Sequence, residues 1–187
     1  MLGCAKAWCV AGMAAVAMTA AQSGPLFAQS FVASPGQKQD IDLDSGDGNF
    51  SQWQHKDLRS LSAMKATIKV LRLGRDATFG PSFTVRVTAG GGFYGLRLQP
   101  ATGWSPPITL KAYYREPQKP DVDVSTFKRT LALDEPVDVE LFWKAGKLSV
   151  RVADEKGEIQ LPKPVSAVGI SSTTGEIEAE ITLGNMR

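Results

Sequence analysis

The sequence predicts an all-β fold, an antiparallel sandwich of two sheets, and three observations carry that prediction. In residues 136–155, Val137, Val139, Leu141 and Trp143 alternate with Asp138, Glu140, Phe142 and Lys144, and beyond Ala145 and Gly146 the alternation resumes with Leu148, Val150 and Val152. Period-2 alternation marks a half-buried strand. Folding the two runs together sets Trp143 opposite Leu148, Leu141 opposite Val150, Val139 opposite Val152 and Glu140 opposite Arg151; a slip of one residue would lose all four pairings. Residues 83–98 repeat the device, with Phe83, Val85 and Val87 leading into Gly90, Gly91 and Gly92, and Tyr94, Leu96 and Leu98 returning. Finally, no helical pattern stands out between Trp53 and Leu183, while short strands recur at intervals of about 8 to 12 residues, the spacing of sandwiches and barrels.

The remaining elements follow in order. A short edge strand is expected at residues 31–33, ahead of the acidic, turn-rich residues 40–49, where Ile41 and Leu43 also alternate with aspartates as in an edge strand. Met64, Ala66, Ile68 and Val70 alternate with Lys65, Thr67 and Lys69 as a further strand. Trp104, Pro106 and Pro107 read as loop, because adjacent prolines lack the donors a central strand needs. Ile108, Leu110, Ala112 and Tyr114 then form a strand whose other face carries Thr109, Lys111, Tyr113 and Arg115. Residues 116–126, with Pro117 and Pro120, read as the longest loop, and a strand at 129–133 leads into the later hairpin. Pieces at 159–161 and 165–171 precede a last strand with Ile177, Ala179, Ile181 and Leu183 facing inward.

The chain of 187 residues has the length of one domain with a substantial core. Residues 1–28 have the layout of a secretory signal peptide: one early cation, Lys6, an uncharged apolar run over residues 7–21, then a short polar segment before Ala28. The apolar run is shorter than the roughly 20 residues of a membrane span, so cleavage after Ala28, or alternatively Ala21, would leave a single β domain over 29–187 with no span. Both cysteines, Cys4 and Cys9, lie in the leader. The mature chain would therefore have no disulfide and no thiolate metal site. Since Lys6 is the only charge removed, net charge falls from +2 to +1. Interspersed charge of both signs gives no case for nucleic acid. The expected location is periplasmic or extracellular in a bacterium.

The order of these features resembles the concanavalin A-like, or laminin G-like, jelly rolls over residues 29–187. The resemblance rests on an opening strand bearing Phe50 and Trp53, the FTVRV and FYGLRLQ hairpin, the VDVELFWKAGKLSVRV hairpin and the closing VSAVGISSTTGEIEAEITLG segment. It implies a jelly-roll sandwich and leaves activity open, because one fold hosts many functions. Laminarinase- and lichenase-type glycosidases on this fold carry Glu-x-Asp-x-Glu along one strand. Glu176, Glu178 and Glu180 resemble that motif, with Glu178 where Asp is expected. The resemblance implies Glu176 as nucleophile and Glu180 as acid/base, which in a retaining pair stand about 5 to 5.5 Å apart. The alternative is a solvated outer face whose acids pair with Lys or Arg across strands.

Two other ligand sets are legible. Asp40, Asp42, Asp44 and Asp47 offer the hard oxygens calcium takes, although Ser45 and Ser51 stand where an EF-hand loop has its Gly and bidentate Glu; Asp121 and Asp123 are further oxygen donors, and the same aspartates fit an edge strand protected by charge. For sugar, an aromatic face beside polar groups is needed. Trp104 in its loop, Tyr113 and Phe142 opposite apolar rows, and Arg97 with Arg86 and Lys111 as donors meet that description, against the alternative that the aromatics are structural. His55, the only histidine, is expected in a turn. The leading expectation is an exported non-enzymatic module binding polysaccharide or another cell-envelope ligand, without a required cofactor. A glycosidase using Glu176 and Glu180, or a domain that only pairs with a protein partner, are the alternatives.

Overall fold

The computed structural model describes residues 29–30, 38–76 and 78–185. The expected leader, and the edge strand at residues 31–33, lie outside the described residues. Among the described residues there are eleven strands and no helix: β1 (Gln29–Ser30), β2 (Lys38–His55), β3 (Ala63–Leu73), β4 (Ser82–Ala89), β5 (Gly92–Thr102), β6 (Ser105–Arg115), β7 (Val122–Leu131), β8 (Val137–Lys144), β9 (Lys147–Val152), β10 (Glu155–Gln160) and β11 (Val165–Gly184). All pairings are antiparallel except that of β1 with β2.

The chain folds as the antiparallel two-sheet jelly-roll sandwich that the sequence predicts. One sheet runs in the order β2 (residues 38–45), β11 (175–184), β3, β8, β9, β10. The other runs β1, β2 (50–55), β11 (165–173), β4, β5, β6, β7. Both sheets are thus tied together by β2 and β11, which pass from one to the other at a shared corner. At the corner Gly48 takes the positive φ that glycine adopts freely, the β-branched Thr174 takes it as well, and the β11 register shifts between Thr173 and Gly175. Buried hydroxyls take up the polar groups freed by the bend. Ser45 Oγ and Ser172 Oγ share a hydrogen bond at 2.6 Å, and they lie 2.9 and 2.8 Å from the Gly175 carbonyl oxygen, which accepts from the hydroxyl whose proton is left free.

The two hairpins form in the expected registers. Phe83 pairs with Leu98 and Val87 with Tyr94; Trp143 pairs with Leu148, Leu141 with Val150 and Val139 with Val152. Arg151 Nη1 reaches Glu140 Oε2 at 3.2 Å across the second. Its two-residue turn, Ala145 and Gly146, has positive φ at both positions, the twist that suits tight hairpins. The inward rows meet in one core whose largest sealed members include Trp53, Phe83, Met64, Leu96, Leu110, Leu141 and Ile170. The sheets close on each other where β10 packs over β6 and β7, and β9 over β5.

Several boundaries differ from the sequence reading. Pro106 and Pro107 belong to β6, at its exposed start next to a hairpin turn, where no ladder partner is asked of them. The loop expected over 116–126 ends at Asp121, because Lys111 pairs with Thr126 and Tyr113 with Asp123 in an irregular β7. The pieces at 165–171 and 177–183 are one bent strand. His55 is no exposed turn residue: it closes β2 with 1% exposure, its ring stacked on Trp53 and Nε2 2.7 Å from the Asp57 carbonyl oxygen.

Candidate ligand-binding face

Alternation in the second sheet sends Phe83, Val85, Val87, Leu96, Leu98 and Leu110 into the core, and the residues between them onto the outer face. Register then fixes which of these become neighbours. Gln52, Ser171, Thr84, Arg97, Lys111 and Thr126 form one cross-strand row; Gln54, Gly169, Arg86, Gly95, Tyr113 and Asp123 form the next; Thr88, Phe93 and Arg115 belong to a third. An outer face ordinarily keeps its charges in water. Here Arg86 is only 7% exposed and Tyr113 3%.

The partners of Arg86 are all uncharged. Nη2 donates to Gln52 Oε1 at 2.7 Å, and Nη1 donates to Ser171 Oγ at 3.0 Å and, at 3.4 Å, to Thr84 Oγ1. Its Cζ stands 4.2 Å from the centre of the half-buried Phe93 ring, and a second guanidinium, Arg115, lies 5.1 Å from the same centre. Burial pushes the Arg86 guanidinium below its ordinary range, the neighbouring Tyr113 phenol, hydrogen bonded to it, works the other way, and the Arg115 charge makes the smallest contribution, downward. Burial likewise pushes the Tyr113 phenol up, with Arg86 and Thr84 working the other way.

Beside this cluster lies an ion-pair network. Arg97 donates to Asp121 at 2.5 Å and to Asp123, which also takes Lys111 at 2.8 Å, while Arg115 reaches Asp121 at 3.7 Å. Burial alone would raise Asp123, but the hydrogen bond from Lys111 and the Arg97 charge hold it below its usual range. Three cations, Arg97, Lys111 and Arg115, thus share two carboxylates, and Arg86 pairs with neither. Arg97 Cζ also lies 5.4 Å from the Tyr113 ring centre.

Of the residues singled out for sugar, Tyr113 and Arg97 are brought together here. Trp104 is 44% exposed at the far end of the β5–β6 hairpin, on the order of 25–30 Å along β6 from Tyr113 at the usual rise per residue. Phe142, 36% exposed, is on β8 in the other sheet, lining a groove of about 310 Å³ with Glu140, Ser149, Arg151 and Lys156. Phe93, Gln52, Ser171 and Arg115 were not legible as site residues. Phe93 sits one position from the core residue Tyr94, so alternation already turns it outward, and strand pairing adds that Thr88 and Arg115 lie beside it.

The two acidic sets fall together on the outer face of the first sheet. Asp40 pairs with Glu180, Asp42 with Glu178 and Asp44 with Glu176, an unfavourable ladder of like charges beside a groove of about 500 Å³. It carries its own cations: Lys38 lies 2.6 Å from Glu180, Lys69 3.6 Å from Glu178, and Arg72 2.6 Å from Asp44 and 3.6 Å from both Asp47 and Glu176. Asp47 also accepts from the Arg75 amide at 3.0 Å. Among the described residues no group of three or more His, Cys, Asp or Glu is arranged to hold a metal ion, and Asp121 and Asp123 belong to the opposite sheet. Glu176 and Glu180, four residues apart on one extended strand, have backbones about 13 Å apart.

No protein-family model matches the chain, and no curated protein sequence matches it. Among solved structures, a homodimeric agglutinin from chicken liver is 15% identical with a TM-score of 0.43, covering 79% of this chain and 100% of its own. A carbohydrate-binding module from Bacillus subtilis is 11% identical with a TM-score of 0.46, over 84% of this chain and 96% of its own. A β-glucanase from Bacillus licheniformis is 10% identical with a TM-score of 0.46, over 80% and 79%. Likeness at this distance transfers neither ligand nor reaction.

Proposed function

We propose that this chain is an exported, non-enzymatic jelly-roll module that binds carbohydrate or another cell-envelope ligand, and that the outer face of β4, β5 and β6 is its binding surface. The observation that supports this reading is the half-buried Phe93 set among Arg86, Arg97, Arg115, Tyr113 and Gln52. A flat aromatic offers a pyranose C–H face something to stack on, and guanidinium and amide groups around it give hydroxyls their hydrogen bonds. The face is built on strands rather than loops, so these groups are held in fixed register. Catalysis at Glu176 and Glu180 has weaker support, since each carboxylate there already faces a cation of its own sheet.

A glycan array probed with the purified protein, with and without calcium, tests the proposal. Binding to one class of polysaccharide is expected, and Phe93→Ala should weaken it by roughly tenfold, the scale of a lost aromatic contact. Failure to bind any glycan overturns the reading.

A further inference from the structure

We infer that Arg86, on the row next to Phe93, and Arg115, the cross-strand partner of Phe93, form a seat for an oxyanion carried by an acidic glycan. The inference rests on the carbohydrate-binding reading above and specifies the chemistry of its ligand.

The argument begins with burial. A charge taken out of water is ordinarily paired or fully hydrogen bonded, because desolvation costs several kcal/mol per ion. Arg86 is buried, and among the described residues no carboxylate pairs with it. A guanidinium has five N–H donors in a rigid fork, and the hydroxyls of Thr84 and Ser171 that receive some of them already bond each other at 2.7 Å. The acceptor at 2.7 Å is the amide oxygen of Gln52, a half-exposed side chain from β2. Gln52 occupies the place an anionic oxygen would take, and its exposure lets it swing aside.

Arg115 supplies the second charge. It is exposed, shares the Phe93 ring with Arg86, and has only a 3.7 Å contact to Asp121, which Arg97 holds at 2.5 Å. Two guanidiniums facing one ring repel each other, and an anion between them removes that repulsion. Access is written into the sheet as well. In register, Arg86 is flanked by Gly95 on β5 and Gly169 on β11, so no side chain rises on either side of it within its row. The acidic ladder on the opposite sheet makes the contrast: its carboxylates outnumber its cations, and Lys38, Lys69 and Arg72 are each engaged.

Planar carboxylate matches a guanidinium fork bidentately, and sulfate presents the same oxygen edge. The shared chemistry is the oxyanion, and its source is separable by probe. Calorimetric titrations of the purified protein with polygalacturonate, dextran sulfate and the neutral β-glucan laminarin should give binding to a charged polymer at least tenfold tighter than to laminarin. Preference for polygalacturonate or for dextran sulfate supports the seat and identifies its anion. Arg86→Lys, which keeps charge and loses the fork, should weaken the charged ligand roughly tenfold or more, as for a lost charge-assisted hydrogen bond. Arg115→Gln, at an exposed position that folding does not depend on, should weaken it several-fold and flatten its salt dependence. Laminarin bound as tightly as the charged polymers, or both variants binding them like the parent, overturns the inference and leaves the carbohydrate reading standing. Acetate or inorganic sulfate that raises the melting temperature of the parent but not of Arg86→Lys, with no polymer bound, keeps the seat and removes the carbohydrate reading. Absence of every one of these responses overturns both.

Discussion

Replacing Arg86 by methionine separates a binding residue from a structural one. In the folded protein the guanidinium gains one firm hydrogen bond to Gln52, another to Ser171 and a contact with Phe93. Hydrogen bonds to a charged donor contribute about 1.5 to 3 kcal/mol each, and a desolvated cation over an aromatic about 2. Against these stands the desolvation of an unpaired cation, several kcal/mol, and the repulsion from Arg115. Methionine fills much the same volume without that cost. The groups it leaves are not stranded, since Thr84 and Ser171 bond each other and Gln52 is open to water. The gains and losses nearly cancel, so Arg86→Met should lie within about 1 kcal/mol of the parent, a shift of at most about 4 °C in melting temperature for a chain of this size. A buried arginine with a structural counter-ion behaves differently, because breaking such a pair costs about 3 to 5 kcal/mol. Urea and thermal denaturation of the parent and variant without ligand decide the matter. A loss of about 3 kcal/mol or more refutes the assignment of Arg86 as a cation held without a carboxylate partner.

Other expectations concern the scaffold and its charges. A β carbon at Gly95 would stand 2.1 Å from the Val85 carbonyl oxygen and 2.8 Å from the Arg86 Cα; Gly95→Ala must part β4 from β5 and should cost about 3 kcal/mol or more, read from urea midpoints, and a loss under about 1 kcal/mol would contradict that close approach. Glu178→Gln removes one carboxylate facing Asp42 together with its 3.6 Å contact to Lys69, so stability should change by no more than about 0.5 kcal/mol; a larger loss on denaturation would mean that the ladder holds something. Asp57 is held down to about 2 from an ordinary 3.8 by hydrogen bonds from the side chain and backbone of Arg59. With a depressed carboxylate the stabilisation is complete above the ordinary value and is lost as pH falls through about 2. NMR titration of the Asp57 carboxyl should therefore give a midpoint near 2, and Arg59→Ala should return it toward 3.8; an ordinary midpoint in the parent would disprove the pairing.

The parts of the fold that could be read from the chain are those where one rule acts alone. Residues 136–155 and 83–98 have alternation, a tight turn and pairing partners within a few residues, so register follows from local pattern. The bent strand β11 was divided because Thr173, Thr174 and Gly175 look like a turn locally, whereas Ser45 and Ser172 turn them into a corner within one strand. The first part of β7 reads as loop because Pro117 and Pro120 lie close before it and its register with β6 slips, while its end falls within the strand expected from 129. The proposed binding face is half legible. Tyr113 and Arg97 stand out as a large aromatic and a cation opposite apolar rows. Gln52 and Ser171 come from strands far off in sequence, and no local pattern announces that they converge on Arg86.

The corner shared by β2 and β11 also governs how this protein is made. β2 pairs with β11 along both halves, yet the two are separated by well over a hundred residues of chain, so its partner is absent while most of the protein is being synthesised. Contacts this distant in sequence slow folding, and an apolar strand without its partner is an aggregation hazard until they form. The hairpins β4–β5 and β8–β9 can form early from local pairing, but neither sheet acquires its β2 strand before β11 arrives. Completion of the fold therefore waits on β11.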